Sequence, residues 1–330
     1  MRLIQFLVGD DGDRAVGAII GDGAPRVVLG AESVRDLALE ANRAGRSLAA
    51  EVEAQGLGDE IDYEALIADK RILLPLDHPE PSRMVVALTG LTHLGSAQSR
   101  DDMHAKLQAD DLSDSMKMFK LGLEGGKPAP GRIGVAPEWG YKGDGSWLVA
   151  PEQPLELPGY ADDGGEEGEI AGLYVIGDGG EVLRVGFALG NEYSDHVMER
   201  RNYLYLAHSK LRQSSYGPEV LVGALPRHVA GTIRVIRNGA DLWKGELISG
   251  EANMCHSIAN LEQHHFKYAN FRRPGDVHVY YYGASGLSCS NGVTPRSGDV
   301  FEVACPVFGK PLRNPLIAGE ADKPIPVLAL

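Results

Sequence analysis

The start of the chain alternates short apolar runs with polar turns and then changes to a helical spacing. Two apolar runs within residues 3–20 are bounded by glycine and acidic residues, as in strands joined by tight turns. From Ser33 to Gly56 the apolar positions recur at the helical period of 3.6 residues, and Ser33 with Asp36 resembles a capping box. The pattern predicts a small α+β domain over residues 1–75.

A different pattern follows three prolines between residues 75 and 81, which indicate a linker. Beyond them, apolar runs rich in β-branched and aromatic residues recur between glycine-rich turns, as is typical of strands. Helical spacing returns over residues 197–210 and again over residues 250–268. We therefore expect residues 82–330 to form a second, β-rich α+β domain.

Acidic residues concentrate in residues 143–183, which hold ten Asp and Glu but no Lys or Arg. Glu167 and Glu169 stand two apart at the start of an apolar run, so a strand there directs both carboxylates to one face. Neighbouring carboxylates repel unless a cation lies between them, and oxygen ligands suit Mg²⁺, Mn²⁺ or Ca²⁺. A second apolar run follows the turn at 177–180 and ends before Glu192, so a hairpin would bring a third carboxylate to the first two.

Composition argues against several classes of protein and of site. The formal net charge of −14 speaks against a nucleic-acid partner. Three cysteines without a pairing pattern favour a reducing cytoplasm over a disulfide framework. We found no signal peptide and no membrane-spanning apolar run, and therefore expect a cytoplasmic protein with no membrane partner. A zinc site at His256, His264 and His265 is disfavoured, because the spacing is poor and His265 belongs to a buried helical stripe.

The acidic motif belongs to an ordered set of motifs. The set runs from E-x-E at Glu167, through G-N-acid-x-S around Glu192 and then Lys210, to Gly217-Pro218 and the N-G turn at Asn238. In this order the motifs resemble those of the fumarylacetoacetate hydrolase superfamily. The resemblance implies a fumarylacetoacetate hydrolase-like mixed β-roll, with the small N-terminal domain packed beside it. Such proteins usually form homodimers, and we expect the same here.

The resemblance also implies a set of metal ligands, namely Glu167, Glu169 and Glu192. Most of the superfamily has Asp at the third position. Glu192 therefore departs from the pattern by one methylene, and Asp195 is the alternative ligand. The expected cofactor is Mg²⁺, with Mn²⁺ or Ca²⁺ as alternatives.

Residues around the metal gain expected roles from the same resemblance. The candidates for proton transfer are Lys210, Glu199 and His93, and the candidates for substrate binding are Lys142, His196, Tyr203, Gly283 and Ser285. Ser96 stands where the superfamily's histidine aligns, so His93 is considered as its spatial replacement. Residues 96–127 are expected to be helical, and the resemblance suggests that they form a lid.

Together with the long N-terminal extension, a set of four residues resembles a branch of the superfamily, sometimes called GguC-like, that is associated with 2-keto-3-deoxy sugar-acid catabolism: Glu192, His196, Glu199 and Lys210. Some members of that branch are dehydratases. We expect a metal-dependent dehydratase of a 2-keto-3-deoxy sugar acid of the pentonate type, which gives an oxo-acid semialdehyde in sugar-acid catabolism. The substrate, a small 2-oxo acid, would bind the metal through its carboxylate and keto oxygens. The alternative is a hydrolase that cleaves the C–C bond of a 2,4-diketo acid, and the third hypothesis is a non-catalytic sugar-acid-binding protein.

Overall fold

A computed structural model describes residues 1–9, 12–95 and 112–330. The structure is 25% helix and 32% strand, which confirms the predicted strand-rich α+β class. The strands are β1 Arg2–Val8, β2 Asp13–Ile19, β3 Arg26–Val28, β4 Leu57–Glu60, β5 Met84–Leu88, β6 Gly140–Gly143, β7 Leu148–Val149, β8 Leu155–Leu157, β9 Gly168–Ile176, β10 Val182–Asn191, β11 Ser214–Tyr216, β12 Val220–Val222, β13 Val229–Arg237, β14 Ala240–Ser249, β15 Val277–Tyr281, β16 Val300–Ala304 and β17 Leu312–Ala318.

Helices lie against these strands and in the connections between them. Within the described ranges they are α1 Val34–Arg43, α2 Leu48–Gln55, α3 Tyr63–Ala68, α4 Asp114–Gly125, α5 His196–Arg201, α6 Leu206–Lys210 and α7 Ile258–Phe266. Across the same ranges, no helix is both long enough and apolar enough to cross a lipid bilayer.

The described strands form two mixed sheets. The larger has twelve strands, with the path β4-β3-β2-β1-β12-β10-β9-β15-β5-β6, and β11 pairs with β10 while β7 pairs with β11. The smaller has the order β14-β13-β16-β17-β8. Strand β15 runs parallel to β5 and antiparallel to β9, so both pairing modes meet in the centre of the larger sheet.

Side chains of strand β9 pack in two different hydrophobic cores. Because successive side chains of a strand point to opposite faces, Leu173 and Val175 enter one core while Tyr174 and Ile176 enter the other. Every residue of β9 is buried. Glu169 lies in this strand, so its carboxylate has no route to bulk solvent along the sheet face and must find partners inside the protein.

The N-terminal strands continue the larger sheet. Arg2 and Leu3 of β1 pair with Leu221 and Val220 of β12, so the first 75 residues and the remainder share one sheet. The division of the chain into domains 1–75 and 82–330 stays a prediction.

Three helices expected as continuous segments are shorter than expected, so these boundaries were wrong. The segment from Ser33 to Gly56 is two helices, because Gly45 takes a φ of 65° after α1 and Ser47 caps α2. The segment 197–210 breaks at Asn202, which is extended and caps the following 3₁₀ turn. Helix α7 starts only after its cap Ser257. Residues 96–111 of the expected lid lie outside the described residues; α4 covers most of the rest.

Candidate metal centre

The β9–β10 hairpin brings together the three glutamates expected to bind a metal. Glu169 lies opposite Gly190 in the antiparallel register, and the Glu192 amide donates to the Glu167 carbonyl at 2.9 Å. One carboxylate oxygen from each of Glu167, Glu169 and Glu192 lies within 4.8 Å of the others, and all three residues are buried. Asp195 has other partners: its carboxylate caps α5 and contacts Arg212 at 2.9 Å.

Glu169 shows why a cation fits this cluster. Its Oε2 accepts a hydrogen bond from the Gly283 amide at 2.7 Å, whereas its Oε1 is buried without a hydrogen-bond partner. Burial, then the charges of Glu192 and Glu167, raise the pKa of Glu169 well above its usual range. An unpaired buried carboxylate oxygen is costly, and coordination of a hard divalent cation would satisfy it.

Lys142 and Lys210 approach the cluster from two directions. Lys142 Nζ lies 2.8 Å from Glu192 Oε1 and donates to the carbonyls of Tyr193 at 2.7 Å and of Lys210 at 2.9 Å. Its side chain is wholly buried, and its ammonium contacts Glu192, an expected metal ligand, and two backbone carbonyls. The substrate carboxylate that we expected it to bind would have to displace them. Burial lowers the pKa of Lys142, although Glu192 opposes this shift.

Lys210 lies on the open side of the cluster. Its Nζ contacts Glu167 Oε1, lies 3.2 Å from Glu192 Oε2 and lies 3.5 Å from Glu199 Oε2. Burial alone would lower the pKa of Lys210, but these carboxylates outweigh it and hold the pKa well above its usual range. The charge of Lys210 is thus tied to the same groups that would bind a cation.

His196 completes the polar wall. Its Nε2 lies 3.1 Å from Glu167 Oε1. Burial opposes its protonation, but hydrogen bonds to Cys289 and Glu167 raise the pKa of His196 to about 10. Burial likewise opposes the ionised form of Glu167, yet Lys210 and His196 hold the pKa of Glu167 below its ordinary value.

A cavity of about 250 Å³ opens from the metal cluster. Its polar wall holds Glu167, Glu192, His196, Glu199, Tyr203, Lys210 and His93. Its opposite wall is apolar and includes Met116 and Phe119 of α4, together with Leu88 and Leu287. The predicted alignment of His196, Glu199 and Tyr203 therefore holds in space, although Tyr203 lies in the 3₁₀ turn beyond α5.

Comparison with solved structures identifies the fold. A 2-keto-3-deoxy-D-arabinonate dehydratase in its apo form aligns with a TM-score of 0.70 at 18% identity, over 97% of this chain and 100% of that one. The same dehydratase complexed with magnesium and 2,5-dioxopentanoate gives 0.68 at 18% identity, over 96% and 99% of the two chains. A fumarylacetoacetate hydrolase from Exiguobacterium antarcticum gives 0.61 at 17% identity, over 96% and 99%.

The chain has the fold of fumarylacetoacetate hydrolase. The predicted likeness is confirmed at the level of the fold. No protein-family model matches the chain, and no curated protein matches its sequence.

Within this fumarylacetoacetate hydrolase fold, Glu138 is a cavity residue that the sequence analysis did not single out. It lies partly buried in the cavity wall and hydrogen bonds to Tyr203. Burial raises the pKa of Glu138 to about 7, and Lys210 works against that rise. The available signal was its spacing, since Glu138 precedes Lys142 by four residues and an extended chain directs both to one face.

His93, by contrast, lines the cavity with both ring nitrogens engaged. Nδ1 contacts Thr92 Oγ1 at 3.0 Å and Nε2 contacts Ser249 Oγ at 2.9 Å. Burial lowers the pKa of His93 to about 4, so the ring is neutral at physiological pH. The structure therefore places His93 at the site without a free ring nitrogen.

The turn after β15 also differs from expectation. The Gly283 amide, expected at the substrate, donates to Glu169, one of the three expected metal ligands. Ser285 Oγ accepts from the Ile248 amide at 2.9 Å and donates to the Glu246 carbonyl at 3.4 Å. Ala284, which was not expected to contribute, lines the cavity instead.

Proposed function

We propose that the chain is a metal-dependent hydro-lyase that dehydrates a 2-keto-3-deoxy sugar acid of the pentonate type to an oxo-acid semialdehyde. One observation carries the proposal: three buried carboxylates, one with an unpaired oxygen, form a cluster, and two of them, Glu167 and Glu192, line a cavity together with Lys210 and Glu138. The fold likeness to a dehydratase solved with magnesium and 2,5-dioxopentanoate supports the same reaction.

In this proposal Glu167, Glu169 and Glu192 hold Mg²⁺, and Mn²⁺ or Ca²⁺ would satisfy the same oxygen donors. The bound cation supplies Lewis acidity at the keto oxygen of a 2-oxo acid, which makes the C3 protons more acidic. The Gly283 amide fixes the orientation of Glu169, and Lys142 fixes that of Glu192. These contacts hold two of the three proposed metal-binding carboxylates in place before a metal ion or a substrate binds.

Dehydration breaks the C3–H and C4–O bonds and releases water. A cation held by Glu167 and Glu192 would neutralise the carboxylates that keep Lys210 protonated, so its ammonium could pass a proton to Glu199 at 3.5 Å. The neutral amine, which faces the cavity, then takes the C3 proton. Glu138, whose pKa of about 7 leaves part of the population protonated at neutral pH, gives its proton to the departing C4 hydroxyl. Proton shifts in the unsaturated product then yield the semialdehyde. His196 and Tyr203 contact the hydroxyl-bearing end of the substrate.

The runner-up is hydrolysis of a 2,4-diketo acid at its C–C bond. The likeness to a fumarylacetoacetate hydrolase favours it. Hydrolysis needs a base that activates water, and His93 is a poor one here because both of its ring nitrogens are engaged and its pKa is about 4. Dehydration therefore remains first, and a sugar-acid-binding protein without turnover remains third.

A substrate panel tests the proposal. The purified chain with Mg²⁺ is offered several 2-keto-3-deoxy acids and an acylpyruvate, and the products are followed by an aldehyde assay and by loss of diketo-acid absorbance. We expect semialdehyde from a pentonate. Cleavage of the acylpyruvate alone would favour the hydrolase, and ligand binding without any product would favour the binding protein. Asp178→Asn, an exposed acid of the same acidic stretch, is the matched control.

Two further expectations accompany the proposed reaction. We infer that the protein acts in the cytoplasm and that two copies form a homodimer, as the resemblance implies. Both inferences are independent of the proposed chemistry.

A further inference from the structure

The last residues described in the chain leave the body of the protein without folding onto it. Gly319 N donates to the Leu157 carbonyl at 2.8 Å, and the chain beyond Asp322 has no regular secondary structure and is exposed. Ile325, Val327, Leu328 and Leu330 are each more than four-fifths exposed. Four large apolar side chains within six residues form an apolar surface that a monomer rarely leaves in water. We call residues 323–330 the apolar tail.

A second solvent-exposed apolar surface lies on the body of the same chain. It is a cavity of about 410 Å³ whose walls include Tyr141, Trp147, Tyr160, His208 and Leu211. Tyr141, Trp147, Tyr160 and Leu211 are between 38% and 48% exposed, which is high for large side chains in the wall of a cavity. We call it the aromatic cavity. Asp144 and Arg212 also line it, and Arg212 is paired with Asp195 at 2.9 Å. The aromatic rings and Leu211 supply the surface that aliphatic side chains can contact.

The tail departs at the rim of this cavity. Strand β17 pairs with β8, and the chain then crosses Gly159, where a side-chain carbon would lie 2.2 Å from the Glu320 carbonyl oxygen. The residue after Gly159 is Tyr160, a wall of the aromatic cavity. The two apolar surfaces are thus neighbours in space, yet the apolar residues of the tail stay exposed beside their own cavity.

The proline spacing explains why the tail does not turn back. Pro324 and Pro326 each fix their own φ and hold the preceding residue extended, so the chain cannot reverse within residues 323–326. The prolines also lack N–H donors, which prevents the segment from becoming an interior strand. Eight extended residues reach at most about 27 Å, enough to cross onto a neighbouring molecule.

We propose that the apolar tail of one copy binds in the aromatic cavity of a second copy, and that the exchange is reciprocal. A two-fold axis near Gly159 brings each tail to the other copy's cavity, because tail and cavity rim are adjacent in every copy. The cavity walls flank Lys142, which lies between Tyr141 and Gly143, and Lys210, which precedes Leu211. The partner's tail would therefore support the backbone that carries both lysines of the metal centre.

Oligomeric state as a function of concentration tests the exchange. We compare the full chain with Ile325→Asp/Leu328→Asp by sedimentation, and use Ile20→Asp/Ile133→Asp as the control, since these two isoleucines are exposed elsewhere on the body. Burial of each Ile or Leu is worth roughly ten- to hundredfold in an equilibrium constant. We expect the tail variant to raise the dimer dissociation constant by more than about 100-fold, with no change in the control. A monomeric wild type, or a tail variant that dimerises like the wild type, would overturn the proposal.

Cross-linking separates exchange between copies from folding back within one. Two chains with different affinity tags are co-expressed, one with Leu328→Cys and the other with Leu211→Cys, and treated with a short bismaleimide. A cross-link between the differently tagged chains supports the exchange, and each variant co-expressed with wild type controls for Cys255, Cys289 and Cys305. A cross-link found only within a chain that carries both substitutions, or none at all, would refute it. Neither outcome depends on the proposed reaction.

Discussion

Two buried clusters of titratable side chains lie on opposite sides of the chain at Glu138 and Trp139. One is the metal centre. The other, here called the histidine core, consists of Trp139, His265 and His278. Trp139 Nε1 donates to His265 Nδ1 at 3.1 Å, so the His265 proton is on Nε2, which donates to His278 Nδ1 at 2.9 Å. Both clusters lie in the protein interior, and both are rich in titratable side chains with shifted pKa values, which usually indicate function.

The difference between them is whether charge stays unresolved. In the histidine core, burial lowers the pKa of His278 to about 4 and that of His265 well below its usual range. The rings are therefore neutral, His265 is matched at both nitrogens and stacks on Tyr280, and His278 Nε2 alone of the four ring nitrogens is buried without a partner. In the candidate metal centre, three buried carboxylates crowd together next to a cavity, and Glu169 Oε1 has no partner. A buried titratable cluster therefore indicates a site where its charge, and not only a single hydrogen bond, stays unresolved.

The two clusters are nevertheless joined through the backbone. Glu138 and Trp139 are consecutive in an extended stretch before β6, so their side chains point to opposite sides. Trp139 is fixed in the histidine core, and this places Glu138 in the cavity. The comparison predicts that substitutions in the metal centre change chemistry, whereas substitutions in the histidine core change stability.

The largest effect is expected from the metal ligands. Chelation with EDTA should abolish turnover, and Mg²⁺ or Mn²⁺ should restore it. Glu169→Ala should weaken metal binding by more than the roughly 10–100-fold that loss of a ligand's hydrogen-bond partner costs. Calorimetric titration with Mg²⁺ measures the affinity directly, without relying on activity. Full turnover in the presence of chelator would remove the metal from the proposal.

Lys210→Met comes next, because it keeps the length of the side chain and removes its proton chemistry. General acid–base catalysis contributes typically about 10²–10⁴-fold, so kcat should fall by roughly that factor. Metal affinity, measured by titration, should persist. Deuterium from solvent should exchange into C3 of a slow substrate with the wild type and far more slowly with the variant. Near-normal kcat and exchange would make Glu199 the leading candidate for the base.

Glu138→Gln should lower kcat by about 10²-fold and remove one limb of the pH profile. Burial raises the pKa of Glu138 to about 7, so the proton-donating form is present below pH 7 and is lost as the pH rises through it. Activity of the wild type should fall along that limb. Tyr203→Phe is the matched control: the tyrosine hydrogen bond lowers this pKa, and its loss should move the limb upward. An unchanged pH profile in Glu138→Gln would exclude this role.

Local patterns predicted the hairpin and long-range packing decided the rest of the site. The E-x-E motif and the apolar runs around it belong to one β-hairpin, so spacing indicated that a third carboxylate meets Glu167 and Glu169, and the resemblance identified it as Glu192. Glu138 reaches the cavity because β6 pairs with β5. Its spacing to Lys142 indicates a shared face, but no local pattern records which part of the fold that face meets. The same holds for the contacts of Lys142 with residues 51 and 68 positions further along the chain. Three helix boundaries failed because caps such as Ser47 and Ser257 outweighed the apolar period.

The smallest effect on turnover is expected from the histidine core. His265→Phe preserves the ring shape but leaves the Trp139 N–H and His278 Nδ1 buried without partners, which costs about 1–3 kcal/mol for each group. We expect urea unfolding at pH 7 to show this loss, while kcat per folded molecule changes no more than a few-fold.

The pH dependence of stability distinguishes the histidine core further. Unfolded histidines bind protons near pH 6.5, whereas folded His278 does so near 4. The neutral rings therefore stabilise the fold above pH 6.5, and this contribution is lost as the pH falls toward 4. His265→Phe removes one of these rings, so its stability should decline less steeply than that of the wild type between pH 6.5 and 5. If His265→Phe instead reduced kcat as much as Glu138→Gln while staying folded, the histidine core would act on the reaction through Glu138, and the separation of the two clusters would fail.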